Sequence, residues 1–404
     1  MKNDWPGRAG LCAALAAAAL LAACSTPKHA MRDAQKQLAT YQELRELPQA
    51  NLNLYSQALQ RLGYMLNIYK SGDPVLYVQS RTILDSTNLS SPLAGAEIPG
   101  DVTEMVRTAL NRIGAKVVYV PYHPDYLVAQ AQLGGQFGVT MPDYLITGAL
   151  TEFDRALSGA GRANNASVEF GKGHGSTTLG YNATNVAIYS ALALDLNVVN
   201  FQTQQMVPRM QSSNVVKVLD MTSERNASLG FYGDAFGFKT EGKYMQGRHS
   251  AIRTLVDLSV LEIVGKVTNT PYWRTIPNGH PDPVVVENMR NAFEALSPQV
   301  RIGLAQVMLQ KYQQPVQVTQ QLDAPTAQAV AQVYAAHFPQ LGAQIDLTRW
   351  EHFEPLFFNV PMPWDEEFKR EAALAEEAAQ RQAEEAAQRA RTSATPVRYE
   401  EGGA

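Results

Sequence analysis

The chain reads as an α+β protein: a compact α/β unit, two long β-hairpins that interrupt it, and a helical C-terminal extension. Three observations point there. Strand-like and helix-like runs alternate from Val75 to Leu150, the order of an α/β unit. Between Thr184 and Val199 the side chains alternate. Val186, Ile188, Leu192, Leu194, Leu196 and Val198 point one way, and Ala187, Tyr189, Ala193, Asp195 and Asn197 the other, which is the period of a strand. That alternation runs for roughly 16 residues, where an ordinary strand holds about 5–6. Finally, Asp365 to Ala394 is almost all Glu, Ala, Gln, Arg and Leu, a helix-forming composition.

The N-terminus has a basic start (Lys2, Arg8), an apolar run from Leu11 to Leu20, and then Leu21-Ala22-Ala23-Cys24-Ser25. That order is a secretory signal, too short for a spanning helix. Its ending resembles the lipobox of bacterial lipoproteins. The resemblance implies that residues 1–23 are removed, that Cys24 is lipidated as the first mature residue, and that Ser25 directs sorting to the cell outer membrane. Cys12 leaves with the signal, so neither an intrachain disulfide nor a cysteine metal site is expected.

Composition narrows the classes. With 45% hydrophobic residues, 18% charged and a net charge of −4, the chain folds but has no clustered positive footprint, so nucleic acid is not an expected partner. After the signal no apolar run reaches the roughly 18 residues of a membrane helix. Any crossing of a bilayer would be by strands.

Residues 24–72 read as a lipid tether and N-terminal helices, with Leu54, Leu59, Leu62 and Met65 at helical spacing, ended by Asp73-Pro74. The unit proper spans 73–270. Val75 to Leu84 is its first strand and Asp85 to Gly100 a loop. Asp101 is expected to cap a helix, with Glu104 completing a capping box and Val102, Met105, Val106, Ala109, Leu110 and Ile113 as the apolar face. Ala115 to Val120 is a strand, Tyr126 to Gln132 a short helix, and Tyr144 to Leu150 a strand again. Ser158 to Thr178 is made of small polar residues, and Leu229 to Phe238 is a cluster of aromatics and glycines ahead of a helix from Ala251 to Val267. The two hairpins fall at about 158–189 and 215–248. Strands of about 9–11 residues suit a tilted crossing of a bilayer, with aromatics at the interface. Two long hairpins on a soluble domain give the same pattern, and the pattern alone does not separate them.

The order of Tyr144-Leu-Ile-Thr-Gly-Ala-Leu-Thr151, a glycine-rich hairpin, Ala193-Leu-Asp-Leu-Asn-Val-Val-Asn200, the aromatic stretch Ala227 to Tyr232 and the helix Ala251 to Val267 resembles the CsgG family of curli production assembly/transport components. The likeness covers about residues 70 to 270. It implies a lipid-anchored outer-membrane protein with a periplasmic α/β domain, assembled as a homo-oligomeric ring. Each subunit would give two hairpins to one transmembrane β-barrel that exports unfolded subunits of extracellular fibres or surface polymers, with periplasmic accessory proteins as further partners. Four strands per chain in a barrel of about 36 strands would take about nine chains. The chain also departs from the family. Its loop Asn88 to Ile98 lacks the aromatic residues of the family's pore constriction, which leaves Leu89, Leu93 and Ile98 as candidates. Gly247-Arg-His-Ser250 stands where the family has Asn-Glu-Pro. The alternative is a periplasm-facing lipoprotein that assembles or anchors a surface structure without forming a pore.

Residues 271–364 lie beyond the resemblance. Pro271, Pro277, Pro281 and Pro283 read as a linker, followed by helical runs. Leu322 to Val330 resembles the peptidoglycan-binding helical repeat without its glycines, so wall binding stands beside a plain helical appendage. Residues 365–404 are a charged helix with pairs four apart (Glu377 with Arg381, Glu385 with Arg389) and a tail expected to be disordered. Chemistry is sparse. The seven histidines never fall at His-x-x-x-His spacing, Gly171-Lys-Gly-His-Gly175 matches no phosphate loop, and Glu351 and Glu354 beside His352 read as exposed polar residues. The expectation is no catalytic residue, no metal and no cofactor, hence not an enzyme.

Overall fold

The computed structural model describes residues 53–94, 98–114, 116–122, 140–158, 164–170, 177–183, 188–220, 229–232, 241–242 and 248–393, with isolated positions between 124 and 132; of these, within 155–190, 217–248 and 385–393, and at 94, 375 and 382, only the backbone is described. The signal, Cys24, most of the helix expected at Tyr126–Gln132, the Gly171–Gly175 run and the tail from 394 lie outside these residues.

A mixed α+β fold is observed. The strands are β1 (Leu76–Ser80), β2 (Leu84–Asp85), β3 (Val117–Tyr119), β4 (Tyr144–Ser158), β5 (Asn164–Phe170), β6 (Thr177–Ala183), β7 (Ile188–Asn200), β8 (Met206–Asp220), β9 (Leu229–Tyr232) and β10 (Glu241–Gly242). One sheet has the order β10-β9-β8-β7-β4-β1-β3, with β2 beside β4, and β5–β6 form a separate pair. β1 runs parallel to β3 and β4, and every pairing from β4–β7 outward is antiparallel.

Helix α1 (Leu54–Tyr69) starts from Asn53, whose side chain accepts the Ser56 amide at 2.9 Å while Ser56 Oγ accepts the Asn53 amide. Tyr55, Leu59, Leu62, Met65 and Leu66 are sealed from solvent. This part of the expected tether is therefore a core helix. It crosses α2 (Thr103–Ile113) closely, because a Cβ on Gly63 would stand 1.6 Å from the Ile113 carbonyl oxygen.

Helix α2 buries Val106, Ala109, Leu110 and Ile113, as its spacing requires. Its capping differs from expectation. Asp101 is bridged to Leu84, so the helix begins later; the Asp101 carboxylate accepts the Thr103 amide at 2.7 Å, and Glu104 pairs with Arg107 instead of turning back. Thr103 Oγ1 in turn accepts the Ile83 amide at 2.8 Å, tying the helix to the strand before it.

Helix α3 (Arg248–Val267) lies across β7 and β8 with α1 and α2 packed against it, and it is buried on nearly every side. The expected proline linker is no linker. Tyr272, Trp273 and Ile276 are buried at 0%, 3% and 2% exposure around a 3-10 turn, Tyr272–Thr275. Gly265 makes room for them, since a Cβ there would lie 2.1 Å from the Tyr272 ring. Helices α4 (Pro283–Glu294), α5 (Pro298–Lys311) and α6 (Ala324–His337) each follow a capping Asp282, Ser297 or Asp323 and carry proline in the first turn. With α7 (Trp350–Phe358) they join the same hydrophobic core as α1–α3, through rings such as Phe293 stacked on Phe353 at 4.5 Å and Tyr69 edge-on to Phe357 at 5.4 Å. α8 (Asp365–Ser393) is the charged helix read from composition.

Candidate functional site

The feature that sets this sheet apart is the ribbon β4–β7 and its neighbour β8. β4 and β8 hold 15 residues each and β7 holds 13, so β4 alone spans about 50 Å at the rise of a strand. Between β4 and β7 in the chain, β5 and β6 form their own antiparallel pair, from Asn164↔Ala183 to Phe170↔Thr177. Bulges pace the ribbon. The shift between Leu150 and Glu152 inserts one residue in β4, which moves the core face from even to odd numbers and keeps Phe153 inside, opposite Leu192.

The core side of the ribbon is explicit. Ile146 pairs with Val198, Leu150 with Leu194, and Phe153 with Leu192 and through it Val216, all buried in the core cluster that includes α3. On a membrane strand the even positions around Val186 to Leu194, which carry Val, Ile and Leu, would be the lipid face. Leu192 and Leu194 instead face the protein core, because α3 covers this end of the strand; the side chains of Val186 and Ile188 lie outside those described. The other side carries Thr147, Ala149, Thr151, Asp195, Asn197, Gln211 and Ser213, half-buried or exposed. Thr151 Oγ1 donates to Asp195 across the strands at 2.6 Å.

Under α3 the row Leu150–Leu194 ends at Asn214, and Leu196 is followed by Ser212, so the core face of β8 turns polar. Both side chains are buried at 0% and 1% exposure. Ser212 Oγ donates to Glu262 Oε2 at 2.6 Å and Asn214 Nδ2 to the same oxygen at 2.9 Å. Lys266 Nζ donates to Glu262 Oε1 at 2.6 Å and to the Gln211 carbonyl at 2.8 Å, and lies 3.8 Å from Asp282 Oδ2. Tyr272 donates its hydroxyl to Asp282 at 2.5 Å; burial first, then the two carboxylates, push its pKa well up, so it stays a donor. Arg209, in the left-handed region at φ 63, pairs with Glu287 at 2.8 Å. The base of β8 is thus tied by charge to α3 and α4. Sequence reasoning missed this network. Its signal was Glu262 and Lys266, four apart in the run Leu258 to Val267, which is apolar but for them and Ser259.

A second buried cluster joins α1, α2 and α3. Asp257 accepts from Ser56 Oγ at 2.5 Å and Asn53 Nδ2 at 3.0 Å, with Arg112 at 3.4 Å. Burial raises its pKa against those hydrogen bonds and the arginine charge.

The three constriction candidates do not come together. Ile98 is a core residue at 3% exposure, Leu89 packs partly on the core, and Leu93 is fully exposed on a 3-10 turn, Pro92–Ala94. The start of the loop is pinned: Asp85 accepts from the Thr87 amide at 2.7 Å, the Thr87 hydroxyl at 2.6 Å and the Ser90 amide at 2.9 Å. Burial works to raise the Asp85 carboxyl, yet these bonds hold it below its usual range. His352 accepts the Asp346 amide at 3.0 Å and Glu351 pairs with Arg349, so that segment is a folded turn. Among the described residues, no group of three or more histidine, cysteine, aspartate or glutamate side chains is placed to hold a metal, and no helix is long and apolar enough to cross a membrane.

No protein-family model matches the chain, and no curated protein matches it. Among solved structures, a hypothetical protein from Chlamydia trachomatis is similar over 48% of this chain and 95% of its own, with 11% sequence identity and a TM-score of 0.22. A likeness that slight carries no argument about fold or function.

Proposed function

We propose that this protein is an outer-membrane lipoprotein that forms a homo-oligomeric β-barrel secretion channel for unfolded extracellular fibre or surface-polymer subunits. One observation carries the reading. An antiparallel ribbon rooted beneath α3 runs out to Ser158↔Ile188 and Ile188↔Asp220, and the chain between β4 and β7 holds a further antiparallel pair, β5–β6. From Asp154 to Ala191 the chain is long enough for two strands of the roughly 9–11 residues that a tilted crossing needs. The lipobox at Cys24 supplies the anchor, and the polar row at Asn214, Glu262 and Lys266 fixes the angle at which β8 leaves the domain. Of the three constriction candidates, Leu93 is the exposed one.

The test is electron microscopy of detergent-purified protein together with conductance in planar bilayers. Rings that conduct, with conductance changed by Leu93→Arg, support the channel. Protein that forms no rings and no channels, with both hairpins cut by protease added to intact outer-membrane vesicles, removes this reading in favour of a lipoprotein that anchors a surface structure.

A further inference from the structure

A cavity of about 560 Å³ opens where the end of α6, the segment after α7 and the first turn of α8 meet. Small-molecule sites hold roughly 300–1,000 Å³. The frame of this one is already fixed. The Arg274 guanidinium in its wall donates to the carbonyls of Phe358 at 2.9 Å and Val360 at 2.7 Å and to Asp365 at 2.8 Å, and Asp365 also accepts the Met362 amide at 2.8 Å. One side chain thereby ties α7, the segment after it and α8 together, so little ordering is left to oppose binding.

The lining is mixed. Phe338 and Met362 are buried at 4% and 5% exposure, and the Phe368 ring, with the Arg61 guanidinium 4.7 Å from its centre, extends the apolar surface. Planar polar groups stand around them. His337 and Gln340 are exposed and make no side-chain hydrogen bond among the described residues. Asn359 spends its amide nitrogen on the Pro355 carbonyl at 2.9 Å, while its side-chain oxygen accepts nothing among the described residues. The charges are spent on each other: Arg274 meets Asp365 at 2.8 Å, and Lys369 meets Glu366 at 2.7 Å. A phosphate, a carboxylate or an ammonium therefore finds no unpaired charge here. Uncommitted donors and acceptors beside aromatic rings suit a neutral ligand whose own groups both donate and accept. Hydroxyls on a saturated ring do this, and the C–H face of such a ring packs against the negative face of an aromatic one.

We propose that this cavity binds a neutral saccharide of one or two sugar units, its hydroxyls held by His337, Gln340 and Asn359 and its ring packed on Phe338 and Phe368. Wall glycan and a plain hexose polymer both present that chemistry, and the test separates them. The site is built on the C-terminal helices and does not depend on the channel reading.

The experiment titrates the full-length protein, in a detergent without a sugar headgroup, with N,N′-diacetylchitobiose, with cellobiose and with a Lys-Glu dipeptide, each followed by saturation-transfer NMR. At least one sugar is expected to bind, and the dipeptide is not. Gln340→Ala and His337→Ala should each weaken sugar binding by about three- to tenfold, the loss of one hydrogen bond, with the thermal midpoint kept. Gln340→Trp fills the cavity from an exposed position and should abolish binding. Binding of the acetylated sugar alone assigns the site to wall glycan, and binding of cellobiose to a hexose polymer. Absence of binding by either sugar overturns the proposal. So does sugar binding that all three variants leave unchanged, or binding of the dipeptide in place of the sugars.

Discussion

Lys266 Nζ lies 2.6 Å from Glu262 Oε1, one turn away on α3, and both side chains are almost wholly buried. Asp282 stands on the other side of the same ammonium group at 3.8 Å, so one cation serves two carboxylates. Removing it leaves two buried carboxylates without this cation, held only by neutral donors such as Ser212, Asn214 and Tyr272. Lys266→Met is therefore expected to destabilise the fold by about 3–5 kcal/mol, read from the urea midpoint. A loss below about 1 kcal/mol would mean that water reaches the site.

Asp257 gives a pH signature of the less usual sign. Its folded pKa lies above the ordinary 3.8, chiefly through burial, so its contribution to stability is full below that value and is lost as pH rises through the raised folded pKa. Hydrogen-bonded carboxylates such as Asp85 and Asp346, whose pKa values are lowered, act in the opposite direction. The comparison of the parent with Asp257→Asn isolates the effect. Relative to the variant, the parent should lose stability on going from pH 3.8 upward, and a gain over that range would contradict the assignment.

The first turn of α8 belongs to the body. Asp365 bonds Arg274 and accepts the Met362 amide at 2.8 Å, and Trp364 Nε1 donates to the Arg274 carbonyl at 2.7 Å. A chain ending at Trp364 should lose about 1.5–3 kcal/mol, the range of one hydrogen bond to a charged group, whereas a chain ending at Arg370 should keep its thermal midpoint. Equal midpoints for the two truncations would show that these contacts contribute nothing.

Cys24→Ser should move the protein from the outer-membrane fraction toward an uncleaved or soluble periplasmic form, since an acyl chain contributes about 0.8 kcal/mol per buried CH₂. Unchanged fractionation of the variant would argue against the lipid anchor.

Much of this fold can be read from pattern. Tyr144 to Leu150, the Leu192 to Val198 alternation, the face of α2 and the charged helix α8 all follow from period and composition, because each repeats one simple choice over many residues. Three parts do not. α1 resembles a tether because its polar face is as long as its apolar one, and what buries it comes from far along the chain. The aromatic residues between Trp350 and Trp364 signal a core, but not whose core they complete. Ser212 and Asn214 look like solvent positions in a strand, and only the depth of Glu262 and Lys266 in α3 explains them. Of the candidate site, the length of the ribbon was legible; the direction it faces near its root was not, because a bulge and a covering helix decide that.

The partners of α1 have a consequence for the order of events in the cell. Ser56 binds Asp257, Arg61 the carbonyl of Thr275, Ile68 accepts from Lys311, and Tyr69 donates to the carbonyl of Phe357. The first of the described helices is completed by residues as far along the chain as Phe357, and contacts so distant in sequence form slowly. A chain emerging N-terminus first cannot close this core until the segment around residue 357 has followed.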